Sequence, residues 1–406
     1  MSYTSDTRLL FTTRLIRMFA YGFLSVILAL YLASIGLSEE RIGLLFSFTL
    51  LGDVLVSLII TLVADRVGRR WMLMLGAGLM VASGIVFALT SNYVLLVIAG
   101  TIGVIAPSDK DIGPFLSIEQ ASLAHLTTDS KRTGVFAWYN LTGSFASATG
   151  SLLCGAAIGF MQSRVPTHLD PYRVVIILYA LAGVILGTAF RFLSPAVEVK
   201  TNPAEEKQRK FALQESRGIV LKLSSLFAVD AFAGGFIVQS MLALWFHLKF
   251  GVTPATLGGI FFGANIVAGI SALSAARLAR RFGLINTMVF THIPSSILLI
   301  LVPLMPNLTL AIVVFLLRFT ISQMDVPTRQ SYTMAVVKPE ERSAASGVTN
   351  VVRSVGASIS PALCGRLLAS PTLMSVPFFL AGGLKILYDL VLYRSFQKIK
   401  PPEEVS

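Results

Sequence analysis

Charge is what this sequence has least of. Lys and Arg number 33 and Asp and Glu 21, so 13% of the 406 residues are charged. A soluble domain carries about 25%, and with half of that missing, lipid has to cover much of the exterior. Cysteine is nearly absent too: Cys154 and Cys364 both lie in apolar stretches. Two such residues exclude a disulfide framework and a cysteine metal site. No nucleophile–base set, metal cluster or phosphate-binding loop occurs, which argues against an enzyme and against a cofactor. The net charge of +12 does not point to nucleic acid, because the basic residues sit in short blocks between apolar runs, as in membrane loops. No cleavable signal peptide is evident: the first apolar run is too long and lacks a small-residue cleavage site.

What the chain has instead is length of apolar run. Hydrophobic residues make up 54% of it, and a helix needs about 20 of them to cross a bilayer. Twelve segments qualify: 12–34, 42–64, 71–91, 93–126, 133–161, 172–193, 219–247, 255–276, 286–305, 308–337, 343–369 and 373–394. They are numbered here as spans 1 to 12. The polar stretch "SPAVEVKTNPAEEKQRKFALQESRG" (194–218) divides them six and six, giving an N-terminal bundle (1–193), a linker (194–218) and a C-terminal bundle (219–406). Alternate loops hold most of the basic residues, among them Arg66, Arg69, Arg70, Lys131, Arg132, Arg277, Arg280 and Arg281, while the others hold Arg41, Arg164, Arg173 and Lys249. That bias predicts both termini and the linker on the cytoplasmic side of a plasma or inner membrane.

The halves are related. A shift of 210 residues sets 117–155 against 327–365 without a gap, so that Gln120 meets Gln330, Asn140 meets Asn350 and Leu153-Cys154-Gly155 meets Leu363-Cys364-Gly365. Internal repeats of this kind mark secondary transporters, in which two bundles rock about a site.

Between spans 2 and 3 stands "TLVADRVGRRWMLM" (61–74). It resembles the signature loop of the major facilitator superfamily: an acid and Arg, a glycine two residues on, then a basic pair. The resemblance implies an all-α fold of two pseudo-symmetric six-helix bundles and a solute transporter working by alternating access. It also implies a conformational latch made of Asp65, Arg66, Gly68, Arg69 and Arg70, with Asp65 accepting from a helix N-terminus of the neighbouring half. The second copy, "AARLARRFGLINTM" (275–288), has Arg280 where the acid would stand, and "KPEERSAASG" (338–347) resembles the loop that often follows span 10. The glycine-rich pattern of drug–proton antiporters on span 5 is half present in "GSLLCG" (150–155).

An ionisable group in mid-membrane costs about 2.5–3.5 kcal/mol on insertion scales, which makes each a functional candidate. Span 10 carries Arg318, Ser322, Asp325 and Arg329 on one helical stripe beside Gln330, and span 1 carries Arg14, Arg17, Tyr21 and Ser25. Span 4 holds "IAPSDKDIGPFLSIEQ" (105–120), with Ser108, Lys110, Asp111, Glu119 and Gln120; its prolines and glycine predict a broken helix. Asp53, Asp230 and Arg353 complete the candidates for binding substrate or coupling protons. By the internal repeat, Glu119 and Arg329 are equivalent and are expected to face each other, with Glu119 first for proton coupling. Asp325 with Arg329, and Lys385 with Asp389, also fit plain i, i+4 structural pairs.

The expected protein is thus a monomer in a lipid bilayer that moves a small polar or charged molecule, with proton-coupled export as the leading reading. The alternatives are a proton-coupled importer of an organic anion or nutrient, and a membrane sensor that transports nothing.

Overall fold

A computed structural model describes residues 5–109, 113–127, 129–163, 169–198, 215–338 and 341–397. Each of the twelve segments is helical there, and no strand occurs among the described residues. Among the described residues nine helices are long and apolar enough to cross a membrane unaided, ten if the two pieces of span 1 count as one. Span 4 has a short apolar helix, Tyr93–Ile102, and span 11 (Arg342–Leu368) is more polar and packs along span 7.

Four spans are interrupted. Span 1 runs Ser5–Ser25 and Leu28–Ser34 with a bend of 42°. Span 4 is Tyr93–Ile102 and Phe115–Leu126, span 7 Arg217–Gly235 and Gln239–Phe250, and span 10 Leu308–Ser322 and Asp325–Ala335. In span 10 the break falls just before Pro327, which then sits in the first turn of the second piece, where its missing N–H costs no bond.

The break in span 4 leaves backbone groups that lipid could not satisfy. Protein takes them instead. Val104 O accepts from Ser83 Oγ (2.8 Å) and Tyr179 OH (2.9 Å), and Pro107 O accepts from Ser240 N (3.1 Å). Asp109 O accepts from Ser147 Oγ (3.4 Å), and Gly113, at φ +80°, donates its N–H to Asp53.

The chain forms two compact units, Met1–Gln208 with Gln239–Phe262, and Arg209–Val238 with Gly263–Ser406. The same helices pair in each: spans 1 and 5 and spans 3 and 6 in the first, spans 7 and 11 and spans 9 and 12 in the second. Glycine permits the closest approaches. A Cβ on Gly22 would lie 2.1 Å from Ser147 O, and one on Gly356 would lie 2.6 Å from Ala228 O. Small residues at such crossings let backbones touch.

The packing groups Gln239–Phe262 with the first unit, although the linker precedes it in sequence. Gln239 Nε2 donates to Ser25 Oγ (2.9 Å) and Ser151 Oγ (3.3 Å), and Ser240 Oγ donates to Ser25 O (2.8 Å). Span 8 (Pro254–Phe282) approaches span 5 so closely that a Cβ on Gly258 would lie 2.6 Å from Ser151 O.

Candidate functional site

Each unit buries its own group of charged side chains. In the first, span 1 supplies Thr13, Arg14 and Arg17, span 4 supplies Glu119 and span 5 supplies Tyr139. Arg17 donates to both carboxylate oxygens of Glu119, Nη1 to Oε1 at 2.8 Å and Nη2 to Oε2 at 2.7 Å. Both side chains have zero exposure. Thr13 Oγ1 lies 3.1 Å from Oε1, and Tyr139 OH donates to Oε2. The ring of Tyr139 carries the Arg14 guanidinium at 4.6 Å, and Phe115 carries that of Arg17 at 4.7 Å. A planar guanidinium matches a carboxylate bidentately, the geometry that best offsets the cost of burying both charges. Tyr21 and Ser25 continue the buried stripe of span 1, as the spacing predicts.

In the second unit Asp230 of span 7 is the hub. It accepts from Lys385 Nζ (2.6 Å) and Arg329 Nη1 (3.1 Å), with Arg353 Nη2 at 3.8 Å and His292 Nε2 at 3.9 Å. Arg329 also binds Asp325 at 2.9 Å, so the expected i, i+4 pair exists. His292 Nδ1 lies 2.9 Å from Asp389 Oδ2. Five spans, 7, 9, 10, 11 and 12, meet in this network. Lys385 and Asp389 therefore bond to residues on other helices and not to each other: Lys385 reaches the hub, and both meet His292. The signal for it was the i, i+4 spacing itself, which puts both charges on one face of span 12.

The expected opposition of Glu119 and Arg329 names neither residue's partner. Glu119 is taken by Arg17 within its unit, and Arg329 by Asp230 and Asp325 within its own. Asp53 holds the turn of the broken span 4 through Gly113 N and accepts from Ser57 at 3.2 Å. Gln120 is half-buried and Gln330 is exposed, off the buried stripe of span 10. Lys110 and Asp111 lie outside the described residues. Among the described residues no group of His, Cys, Asp and Glu could hold a metal ion.

The signature loop is built differently from its sequence reading. Gly68 takes φ +115° and ends span 2, letting span 3 (Arg69–Leu89) start at once. Asp65 accepts from Arg69 Nε (2.9 Å) four residues on. The helix N-terminus belongs to Glu198, a linker residue that no motif marks. Its carboxylate accepts from Arg69 N (2.7 Å) and Arg70 N (3.1 Å), while Arg69 Nη1 and Arg70 Nη1 reach Val197 O and Leu193 O. An anion at a helix N-terminus satisfies orphan N–H groups and the dipole together. The second unit repeats the device: Glu341 accepts from Glu215 N (3.0 Å) and Ser216 N (2.8 Å), where span 7 begins.

Comparison with known proteins agrees with this construction. The family description of the Major Facilitator Superfamily matches residues 10–361. Membrane protein YJR124C of Saccharomyces cerevisiae is 31% identical, over 95% of this chain and 93% of its own length. Multidrug resistance protein 1 of Bacillus subtilis is 23% identical, over 85% of this chain and 84% of that one. Among solved structures, the nucleoside transporter NupG superposes with a TM-score of 0.75 at 13% identity, covering 96% of this chain and 99% of that one. Twelve helical segments, paired helices repeated in both units and a family match over nearly the whole length have one reading: the chain belongs to the Major Facilitator Superfamily and is a multi-pass membrane transporter.

Proposed function

We propose that this transporter exports a small polar or charged solute in exchange for protons, with both termini on the cytoplasmic side. The observation that carries the coupling is the Arg17–Glu119 pair, a carboxylate with no solvent exposure held by a bidentate guanidinium and the Tyr139 hydroxyl. A proton delivered to Glu119 cancels one half of that pair and frees Arg17 for a new partner. The pair can then exist in two forms, bonded and proton-bearing, which is what an ion-coupled cycle requires of its coupling site. Export draws support from the Bacillus subtilis relative, named for multidrug resistance, and from the half-present antiporter pattern on span 5.

The orientation rests on the basic loop bias. Arg66, Arg69 and Arg70 mark the inner side, so Ser25, Ser151 and Gln239, bonded together far along their spans, form a closure on the outer side. Opening that closure while the bundles rock is the step that exposes the site outward.

The test is flux in proteoliposomes under an imposed pH gradient, with candidate solutes first ranked by thermal stabilisation of the purified chain. Coupled export predicts uphill solute movement against an opposite proton flow, abolished in Glu119→Gln with insertion unchanged. Solute moving in the same direction as protons would establish the importer reading instead.

A further inference from the structure

The second unit buries one guanidinium that no acid binds. Near the carboxylates Asp230, Asp325 and Asp389 it buries three cations, Arg318, Arg329 and Lys385, with Arg353 partly exposed at 30%. These three acids are committed: Asp230 to Lys385 and Arg329, Asp325 to Arg329, and Asp389 to His292. Arg318 is left over. It is 7% exposed, and among the described residues it makes no hydrogen bond and no ion pair. Among the described residues its Nε is a buried donor with no acceptor, and its Cζ lies 5.0 Å from the ring centre of Phe319, while Asp325 and Asp230 act on it through space without bonding. A ring face attracts a cation but does not neutralise it or take its N–H groups.

Burying a guanidinium with no hydrogen-bonded partner is costly. Such a group persists where something outside the fold completes it. One turn further along span 10, Ser322 Oγ is also buried and also lacks a partner. The spacing i, i+4 puts that hydroxyl on the face of the guanidinium. Both can donate, and with the guanidinium's positive charge they suit a planar or tetrahedral anion better than a cation or a hydrocarbon.

We propose that Arg318 and Ser322 form the anion-recognition site of this transporter, and that its solute carries one acidic oxy-group, a carboxylate, phosphate or sulfonate. The inference rests on the transporter reading above only in taking the chain to bind a solute; it does not depend on direction or proton coupling. A guanidinium fork matches such oxygens bidentately, which an ammonium could not do.

The experiment measures the melting temperature of the purified full-length chain with matched probes at constant ionic strength: benzoate against benzamide, benzenesulfonate against benzenesulfonamide, and inorganic phosphate against none. At least one anion should stabilise the wild type beyond its uncharged partner, and which one does so identifies the acidic group. Arg318→Gln should weaken that binding about tenfold or more, the worth of a charge-assisted hydrogen bond. Arg318→Lys should retain part of it, and Ser322→Ala should lose severalfold. Without ligand, Arg318→Met should melt higher than wild type, because it removes a charge that nothing completes. No preference for any anion, or a preference that survives in Arg318→Gln, overturns the site. So does a lower melting temperature for Arg318→Met, which would mean that the fold itself uses the charge. Anion binding that persists while proton-coupled flux fails would count against the coupling proposal alone.

Discussion

Arg17 grips Glu119 with both ends of its guanidinium, at 2.8 and 2.7 Å, and solvent reaches neither side chain. The two residues lie on spans 1 and 4, 102 positions apart. Removing one member strands the other as a lone buried charge. Arg17→Gln should therefore lower stability by about 3–5 kcal/mol, the usual cost of breaking a buried pair from one side. The double change Arg17→Met with Glu119→Gln should recover most of that, since a pair replaced as a whole is often close to neutral. Thermal melts of the three proteins decide it. A double variant no better than Arg17→Gln would show that Glu119 draws its stability from Tyr139 and Thr13 rather than from the arginine.

The contact of spans 5 and 8 has no room for a side chain at Gly258, where a Cβ would lie 2.6 Å from Ser151 O. Gly258→Val should insert normally yet keep these helices apart. The Gln239–Ser25–Ser151 bonds beside them should then fail. Buried Gln239, changed to Cys, should become reactive to a membrane-impermeant maleimide only in the Gly258→Val background. Native Cys154 and Cys364 are 0% and 1% exposed and contribute little signal. Equal labelling in both backgrounds would sink the idea that this contact is a closure.

Much of this fold was legible in the chain because hydropathy is read locally. The twelve helical segments and the break at Pro107–Pro114 follow from apolar runs and from residues that cannot continue a helix, whereas the grouping of Gln239–Phe262 with the first unit does not. The interruption after Ser25 has no proline or glycine at the break itself, whereas the one at Phe236 directly follows Gly234-Gly235, a weaker local signal than the prolines of span 4. Partner choice was the harder part. The internal repeat makes Glu119 and Arg329 equivalent, but equivalence in sequence says nothing about which charge neutralises which. A buried charge needs a hydrogen-bonded partner within about 3 Å, and each unit found one among its own helices. Glu198 escaped for a different reason. It stands in a polar stretch where one more acid is unremarkable, and only the fold brings it to the start of span 3.

That cap yields an order of effects. Glu198 receives two backbone N–H groups, whereas Asp65 receives a side chain and is 39% exposed. Capping an N-terminus is worth about 0.5–2 kcal/mol, and an exposed i, i+4 ion pair about 0.3–0.5 kcal/mol. Glu198→Ala should thus melt lower than Asp65→Asn, although the signature loop contains only the latter. The reverse order, measured on the purified proteins, would return the latch to Asp65.

Asp230 sets the last expectation, because three helices send it a cation. Lys385 Nζ at 2.6 Å is its shortest contact, and the two side chains are 10% and 5% exposed. Asp230→Asn leaves Lys385 facing an amide and Arg329 with Asp325 alone, and should cost about 3–5 kcal/mol. Lys385→Met should cost less, because Asp230 keeps Arg329. If the two interact as the geometry requires, the double variant falls short of the sum of the singles by about 0.5–3 kcal/mol, the range for residues in one network. Flux then separates structure from transport. A folded Lys385→Met that still transports makes span 12 a structural anchor for the hub. A folded Lys385→Met that binds solute but no longer moves it makes the lysine part of the cycle, and extends the working site of the second unit from span 10 out to span 12.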